Sequence, residues 1–138
     1  MRLFDPRAVR VLVVEDDPDN RTVVARLLRL AGVSPERLFE AEGDAAAWLE
    51  GAGIEVDLVF LDLQMPRKDG YQVLAELRAD PRRAGLTVIA LTANVMKRDV
   101  ERCRLAGFDG FIGKPIDGRR FARLFEGILA GESVWTED

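Results

Sequence analysis

Apolar positions along this chain follow two rhythms that alternate. Residues 10–14 (RVLVV), 56–62 (VDLVFLD) and 87–93 (TVIALTA) are short, continuous apolar runs rich in β-branched residues. That is the pattern of strands covered on both faces. Between them the spacing turns helical: in PDNRTVVARLLRLAG, Val23, Val24, Leu27, Leu28 and Ala31 share a face, and Gly32 is placed to stop the helix. RLFEAEG (37–43) predicts a second strand, and DAAAWLEGAG (44–53) a second helix with Asp44 as its N-cap. GYQVLAELRAD (70–80) predicts helix three and VMKRDVERCRLAG (95–107) helix four. GFIGKP (110–115) is a short fifth strand broken by Pro115, and DGRRFARLFEGILAG (117–131) is helix five, with Phe121, Leu124, Phe125 and Ile128 on one face.

Five strands alternating with five helices imply right-handed crossovers and a mostly parallel sheet with helices on both faces, a doubly wound α/β fold. No repeat, low-complexity segment or internal linker interrupts the pattern. One domain is therefore expected over residues 10–130, flanked by an N-terminal extension (1–9) and a C-terminal tail (131–138). Trp135 stands in polar company in that tail, and packing on the body is the better expectation for it than a partner contact.

Sites in open parallel sheets form beyond the carboxyl ends of the strands, so what closes each apolar run is informative. Strand one delivers Glu15, Asp16 and Asp17, strand three Asp62, strand four Thr92 and strand five Lys114. Carboxylates gathered this closely repel and do not all ionise unless a cation joins them. The chain has no His and a single cysteine, Cys103, within a helical stretch. Histidine-based nucleophilic catalysis and most zinc sites are thereby excluded, and Mg²⁺ is the natural ion for an all-oxygen site. Such a site completes its shell with water and a phosphate oxygen, and Asp62 can carry that phosphate, since aspartyl phosphates are known covalent intermediates. Thr92 and Lys114 then contact its oxygens.

Composition narrows the picture further. With 48% hydrophobic and 32% charged residues and a net charge of −4, the chain is an ordinary globular protein with no overall pull toward nucleic acid or an anionic membrane. Its apolar runs are too short to span a bilayer and MRLFDPR lacks a signal-peptide core, so a cytoplasmic location is expected. Only three of the 20 basic residues are lysines (Lys68, Lys97, Lys114). A lysine at a strand end is therefore a departure from the usual choice, and its compact ammonium suits a single phosphoryl oxygen or carboxylate.

Taken in order, VLVVEDD, FLDLQMPRKDG, LTAN and GKP resemble the acidic pair, phosphoacceptor loop, switch threonine and Lys-Pro of the receiver domains of two-component response regulators, over roughly residues 9–130. The resemblance implies a flavodoxin-like sheet of order 2-1-3-4-5. It also implies a register in which Glu15 and Asp16 form the pair, with Arg21 a few positions on. Asp16 and Asp62 then bind Mg²⁺ directly, Glu15 through water, and the Gln64 backbone carbonyl adds a ligand. Asp17 is left to open helix one with Pro18 and Asp19.

By the same resemblance Asp62 is the phosphoacceptor, and the donor is a sensor histidine kinase or a His phosphotransfer protein. Thr92 and Phe111 are the switch pair, although Phe111 reads equally as core, and Pro115 follows a bond that is often cis in the family. Output is expected through helix four, strand five and helix five, where Lys97, Arg98, Arg102, Arg119, Arg120 and Arg123 make either a solvated surface or a docking face for an acidic protein partner. No nucleic acid or membrane contact is implied, and the chain is expected to be a monomer or a phosphorylation-dependent dimer. The expectation is a stand-alone phosphoacceptor rather than an enzyme in the ordinary sense, with self-phosphorylation from a donor and autodephosphorylation. Gln64 and Asn94 flank the phosphoryl position, and Lys68 replaces a commonly apolar residue. A haloacid-dehalogenase-type phosphatase is a weaker alternative, because the acid expected two residues after the nucleophile is Gln64. A module that never sees phosphate is weaker still, because the full set of polar residues is present.

Overall fold

The Val- and Leu-rich runs occupy the middle of the sheet because they have no polar side to turn outward. In the computed structural model, which describes residues 4–136, β1 (Val11–Val14), β3 (Leu58–Asp62) and β4 (Thr87–Thr92) are buried along nearly their whole length. β2 (Leu38–Ala41) lies beside β1, β5 (Gly110–Gly113) beside β4, and β6 (Val134–Thr136) beside β5. All five pairings are parallel and the order is β2-β1-β3-β4-β5-β6.

The helices are α1 (Pro18–Leu30), α2 (Ala45–Ala52), α3 (Gly70–Ala79), α4 (Lys97–Ala106) and α5 (Gly118–Leu129). Because strand side chains alternate, the sheet feeds two cores. Val11, Val13, Phe60, Ile89 and Ile112 meet α1 and α5, while Leu12, Val14, Leu61, Ala90 and Phe111 meet α2, α3 and α4. On the first face Phe121 and Phe125 stack at 5.9 Å and both tilt against Phe60, so α5 is held by aromatic contact as well as by apolar burial. Among the described residues no helix is long and apolar enough to cross a membrane.

Short polar residues set the helix starts. An Asp17 oxygen accepts from the backbone N–H of Asp19 at 2.8 Å, and Pro18 opens α1, which bears out the reading of Asp17 as the helix-opening acid. Asp44 caps α2 from a left-handed conformation (φ 43°). Asp69 and Gln72 form a reciprocal capping box on α3. Elements end a residue or two inside the predicted spans, because the flanking polar and turn residues belong to caps.

The sheet has one strand more than the alternation predicts. β6 lies in the expected tail, where Val134 is buried and Trp135 packs against the α4 side of the core. Three residues after a glycine turn are too few to register as a strand by periodicity. At the other end, the Phe4 N–H donates to the Leu129 carbonyl at 3.0 Å, so part of the N-terminal extension is docked on α5. Residues 1–3 and 137–138 of the predicted extension and tail lie outside the described residues.

Candidate functional site

Among the described residues three polar side chains are buried, and all three sit at the carboxyl edge of the sheet: Glu15 after β1, Asp62 closing β3 and Thr92 closing β4. Lys114 follows β5 and reaches across. Its Nζ lies 3.1 Å from Glu15 Oε1 and 3.1 Å from Asp62 Oδ1. The same Asp62 oxygen accepts from the Gln64 N–H at 3.1 Å. Thr92 Oγ1 accepts from the Asn94 N–H at 3.0 Å, and the Lys114 N–H donates to the Thr92 carbonyl at 2.8 Å. The Lys114–Pro115 bond is cis, the isomer that the family resemblance implied.

Charge does not balance here. Carboxylate oxygens of Glu15, Asp16 and Asp62 all lie within 4.8 Å of one another, with one ammonium among them. Glu15 Oε2 is buried and has no hydrogen-bond partner. Burial first, then the neighbouring Asp62 carboxylate, pushes the Glu15 carboxyl up from 4.5 to about 7, with Lys114 opposing. Burial disfavours the Lys114 ammonium, yet its hydrogen bond to Glu15 and the charges of Asp62 and Glu15 outweigh that and raise its pKa. An orphaned acceptor in a cluster short of positive charge is the environment a divalent cation relieves, and an all-carboxylate donor set fits a hard ion.

The surrounding loops are shaped to hold these groups. Arg21 Nη1 donates to the Glu15 carbonyl at 2.8 Å, and its Nε lies 3.4 Å from Glu40 Oε1, pinning the end of β1 to β2. Gly70 closes the β3–α3 loop onto β3. A Cβ there would sit 2.7 Å from the Asp62 carbonyl oxygen and 2.8 Å from Leu63 Cα, so close approach requires glycine. Lys68 bridges Asp44 at 3.1 Å and Glu76 at 2.8 Å, tying that loop to α2 and α3. Beside it an open cleft of about 440 Å³ runs from Asp16 and Glu42 to Met65 and Lys68.

Glu15, Asp16, Asp62 and Lys114 are thus brought together, and Thr92 closes the neighbouring strand at the same edge. Gln64 and Asn94 are exposed at the mouth. Asp17 stands apart, committed to α1. Phe111 is fully buried in the α4-side core. Of the basic set, Lys97, Arg98, Arg102, Arg119 and Arg123 are exposed, and Arg102 lies 4.1 Å over the Tyr71 ring, a cation–π contact rather than a free charge. Cys103 is buried 3.4 Å from the Tyr71 hydroxyl and burial pushes its thiol up, in keeping with a structural role. Sequence reasoning missed the Lys68 bridges, which depend on residues 24 positions before it and 8 after it. It also missed Gly110 as the position that admits β6.

Sheet and site together define a flavodoxin-like α/β domain whose polar groups converge on the carboxylate at the end of β3. Residues 11–126 match the response regulator receiver domain, and the chain belongs to that family of two-component signalling domains. It is 36% identical over 110 residues to hybrid signal transduction histidine kinase L of Dictyostelium discoideum, covering 78% of this chain and 6% of that one. It is 35% identical to the sensor protein GacS of Pseudomonas syringae pv. syringae, covering 86% and 13%. The chain therefore spans a small fraction of the length of these relatives. Among solved structures, the receiver domain of sensor histidine kinase PA1611 from Pseudomonas aeruginosa, which has a magnesium ion coordinated in its active site cleft, is 30% identical with a TM-score of 0.73, covering 90% and 98%. The signal receiver domain of a histidine kinase from Syntrophus aciditrophicus is 29% identical with a TM-score of 0.75, covering 90% and 92%.

Proposed function

We propose that this domain accepts a phosphoryl group on Asp62 from a phospho-histidine of a sensor kinase or His phosphotransfer protein, with Mg²⁺, in the cytoplasm, and that the modified domain acts on a downstream protein. One observation carries the reading: the buried Glu15–Lys114–Asp62 cluster, in which two carboxylates share one ammonium and Glu15 Oε2 has no partner. Asp16 and Asp62 would hold the ion directly, Glu15 through water, and the Gln64 carbonyl would complete the protein ligands. Bound there, the ion neutralises carboxylate charge and polarises the transferring phosphoryl oxygens.

An Asp62 carboxylate oxygen attacks phosphorus, the N–P bond breaks, and the donor imidazole nitrogen keeps the electron pair. The product carries about 1.5 to 2 negative charges beside Lys114. Lys114 then trades a carboxylate partner for a phosphoryl oxygen, and the Thr92 hydroxyl donates to another. Thr92 and Phe111 act as the switch, and α4, β5 and α5 present the readout, with a dimer as one form of output. Water attack on the acyl phosphate returns the domain to rest, with Gln64 and Asn94 beside its path.

Incubation with Mg²⁺ and acetyl phosphate, followed by intact mass measurement, tests this. A gain of one phosphoryl group that Asp62→Asn abolishes is the expected result. Steady hydrolysis of unrelated phosphate esters would replace this reading with a phosphatase. No labelling, even by phospho-histidine donors, would leave an interaction module.

A further inference from the structure

The edge of β5 is covered by the chain's own strand. β6 pairs with β5 in parallel register, Gly110 opposite Val134 and Phe111 opposite Trp135, so an edge open to strand addition is already filled. A glycine in another element makes room for it: a Cβ on Gly110 would lie 2.8 Å from the Val134 carbonyl oxygen. The Gly127 carbonyl, in α5, accepts from the Glu132 N–H at 2.9 Å. The side chains of β6 straddle the sheet: Val134 joins the α5-side core, and Trp135 packs against the α4-side core that contains Phe111, with the Arg104 guanidinium 4.7 Å over its ring.

We infer that β6 is a detachable cap on the β5 edge, seated while Asp62 is unmodified and released when it is phosphorylated; the inference rests on the function proposed above. β5 is the shared element. Lys114, which follows it directly, contacts Glu15 and Asp62, Gly113 pairs with Thr92, and Phe111 is the strand partner of Trp135. β6 complements the arrangement of β5 in which Lys114 bridges two carboxylates, so an arrangement that pulls Lys114 toward a phosphoryl group holds it less well. A three-residue edge strand next to exposed Glu132 and Ser133 opens without unfolding the sheet. By linkage the effect is reciprocal, so weakening β6 must favour the phosphorylated arrangement.

Trp48→Phe leaves Trp135 as the sole tryptophan in the full chain. Its fluorescence is expected to be shielded from acrylamide in the resting protein and to become accessible with Mg²⁺ and beryllofluoride, a phosphoryl analogue. Trp135→Ser, in the full chain, should bind beryllofluoride about fivefold or more tightly than the parent, with Arg104→Ala as a milder variant that keeps the strand sequence. A phosphoryl gain on Asp62 with Trp135 equally shielded before and after, or unchanged beryllofluoride affinity in both variants, overturns the cap alone. Absence of both a mass gain and beryllofluoride binding overturns the receiver reading and the cap together.

Discussion

Two clusters of charge lie at opposite ends of the same sheet and are built differently. At the carboxyl ends of the strands, Glu15, Asp62 and Lys114 are drawn out of water, and one carboxylate oxygen lacks any partner. At the amino ends, Asp80, Arg82 and Arg83, between α3 and β4, pair with one another and with Glu50 of α2 at the surface. The titration of the two clusters moves in opposite directions. Glu15 is pushed up to about 7 by burial and Asp62, whereas hydrogen bonds from the Arg82 side chain and backbone hold Asp80 down at about 2. Acidic density alone does not mark a site. Burial with uncompensated charge does, because only there is something further needed to settle the structure.

The sharpest way to break this contrast is to remove one acid from within the unbalanced cluster and its neighbour from outside it. Asp16→Ala is expected to weaken Mg²⁺ binding by on the order of 100-fold or more, since losing even an outer-shell partner commonly costs 10- to 100-fold. Asp17→Ala, one residue along, should leave that affinity within about twofold while losing the α1 cap, about 1 kcal/mol of stability. Isothermal titration with Mg²⁺ and urea unfolding separate the two effects. Strong Mg²⁺ dependence on Asp17 instead would shift the register of the acidic pair.

Glu15 gives a pH test whose sign follows from its shift. Its carboxyl titrates near 7 when folded and near 4.5 otherwise. Between those values the folded chain keeps a proton that the unfolded chain has released. Stability without divalent ions therefore falls as pH rises through 4.5 to 7, and the cost is complete above that window. Glu15→Gln removes the cost, so relative to the parent it should gain up to about 3 kcal/mol between pH 4.5 and pH 8, at about 1.36 kcal/mol per pKa unit. Urea unfolding at several pH values, with chelator present, measures this. Mg²⁺ should shrink the gap by stabilising the ionised parent, and a gap that is flat with pH would mean that Glu15 is already compensated in the fold.

Much of this contrast is legible in the sequence, for a physical reason. Parallel strands buried on both faces are continuous apolar runs, so the polar residue that ends each one stands out, and in this architecture those ends share an edge. Glu15, Asp62, Thr92 and Lys114 were visible in that way, Lys114 the more so in a chain that mostly uses arginine. The division of Asp16 from Asp17 was not, because both follow the strand and only capping geometry or family spacing separates them. Neither was β6, since the space that admits it is created by Gly110, 24 residues before Val134. The Lys68 bridges to Asp44 and Glu76 likewise exist only once three loops and helices have met.

The smallest expected effect comes from the balanced cluster, where Arg82 engages both Asp80 and Glu50. Arg82 is well exposed, and exposed pairs gain little after solvent screening and side-chain ordering are counted. Arg82→Ala should therefore leave the urea midpoint at pH 7 nearly unchanged and Mg²⁺ affinity untouched. Asp80 does contribute stability that is present above its ordinary value of 3.8 and lost as pH falls toward 2, so a slight difference from the parent should emerge in the acid limb. That difference should track ionic strength, because surface charges are screened over roughly 8 Å at physiological salt. The Glu15→Gln effect, set by burial, should persist in 1 M NaCl. A large, salt-resistant loss in Arg82→Ala would mean that the amino-end cluster is as tightly coupled to the fold as the carboxyl-end one, and that burial is not what distinguishes them.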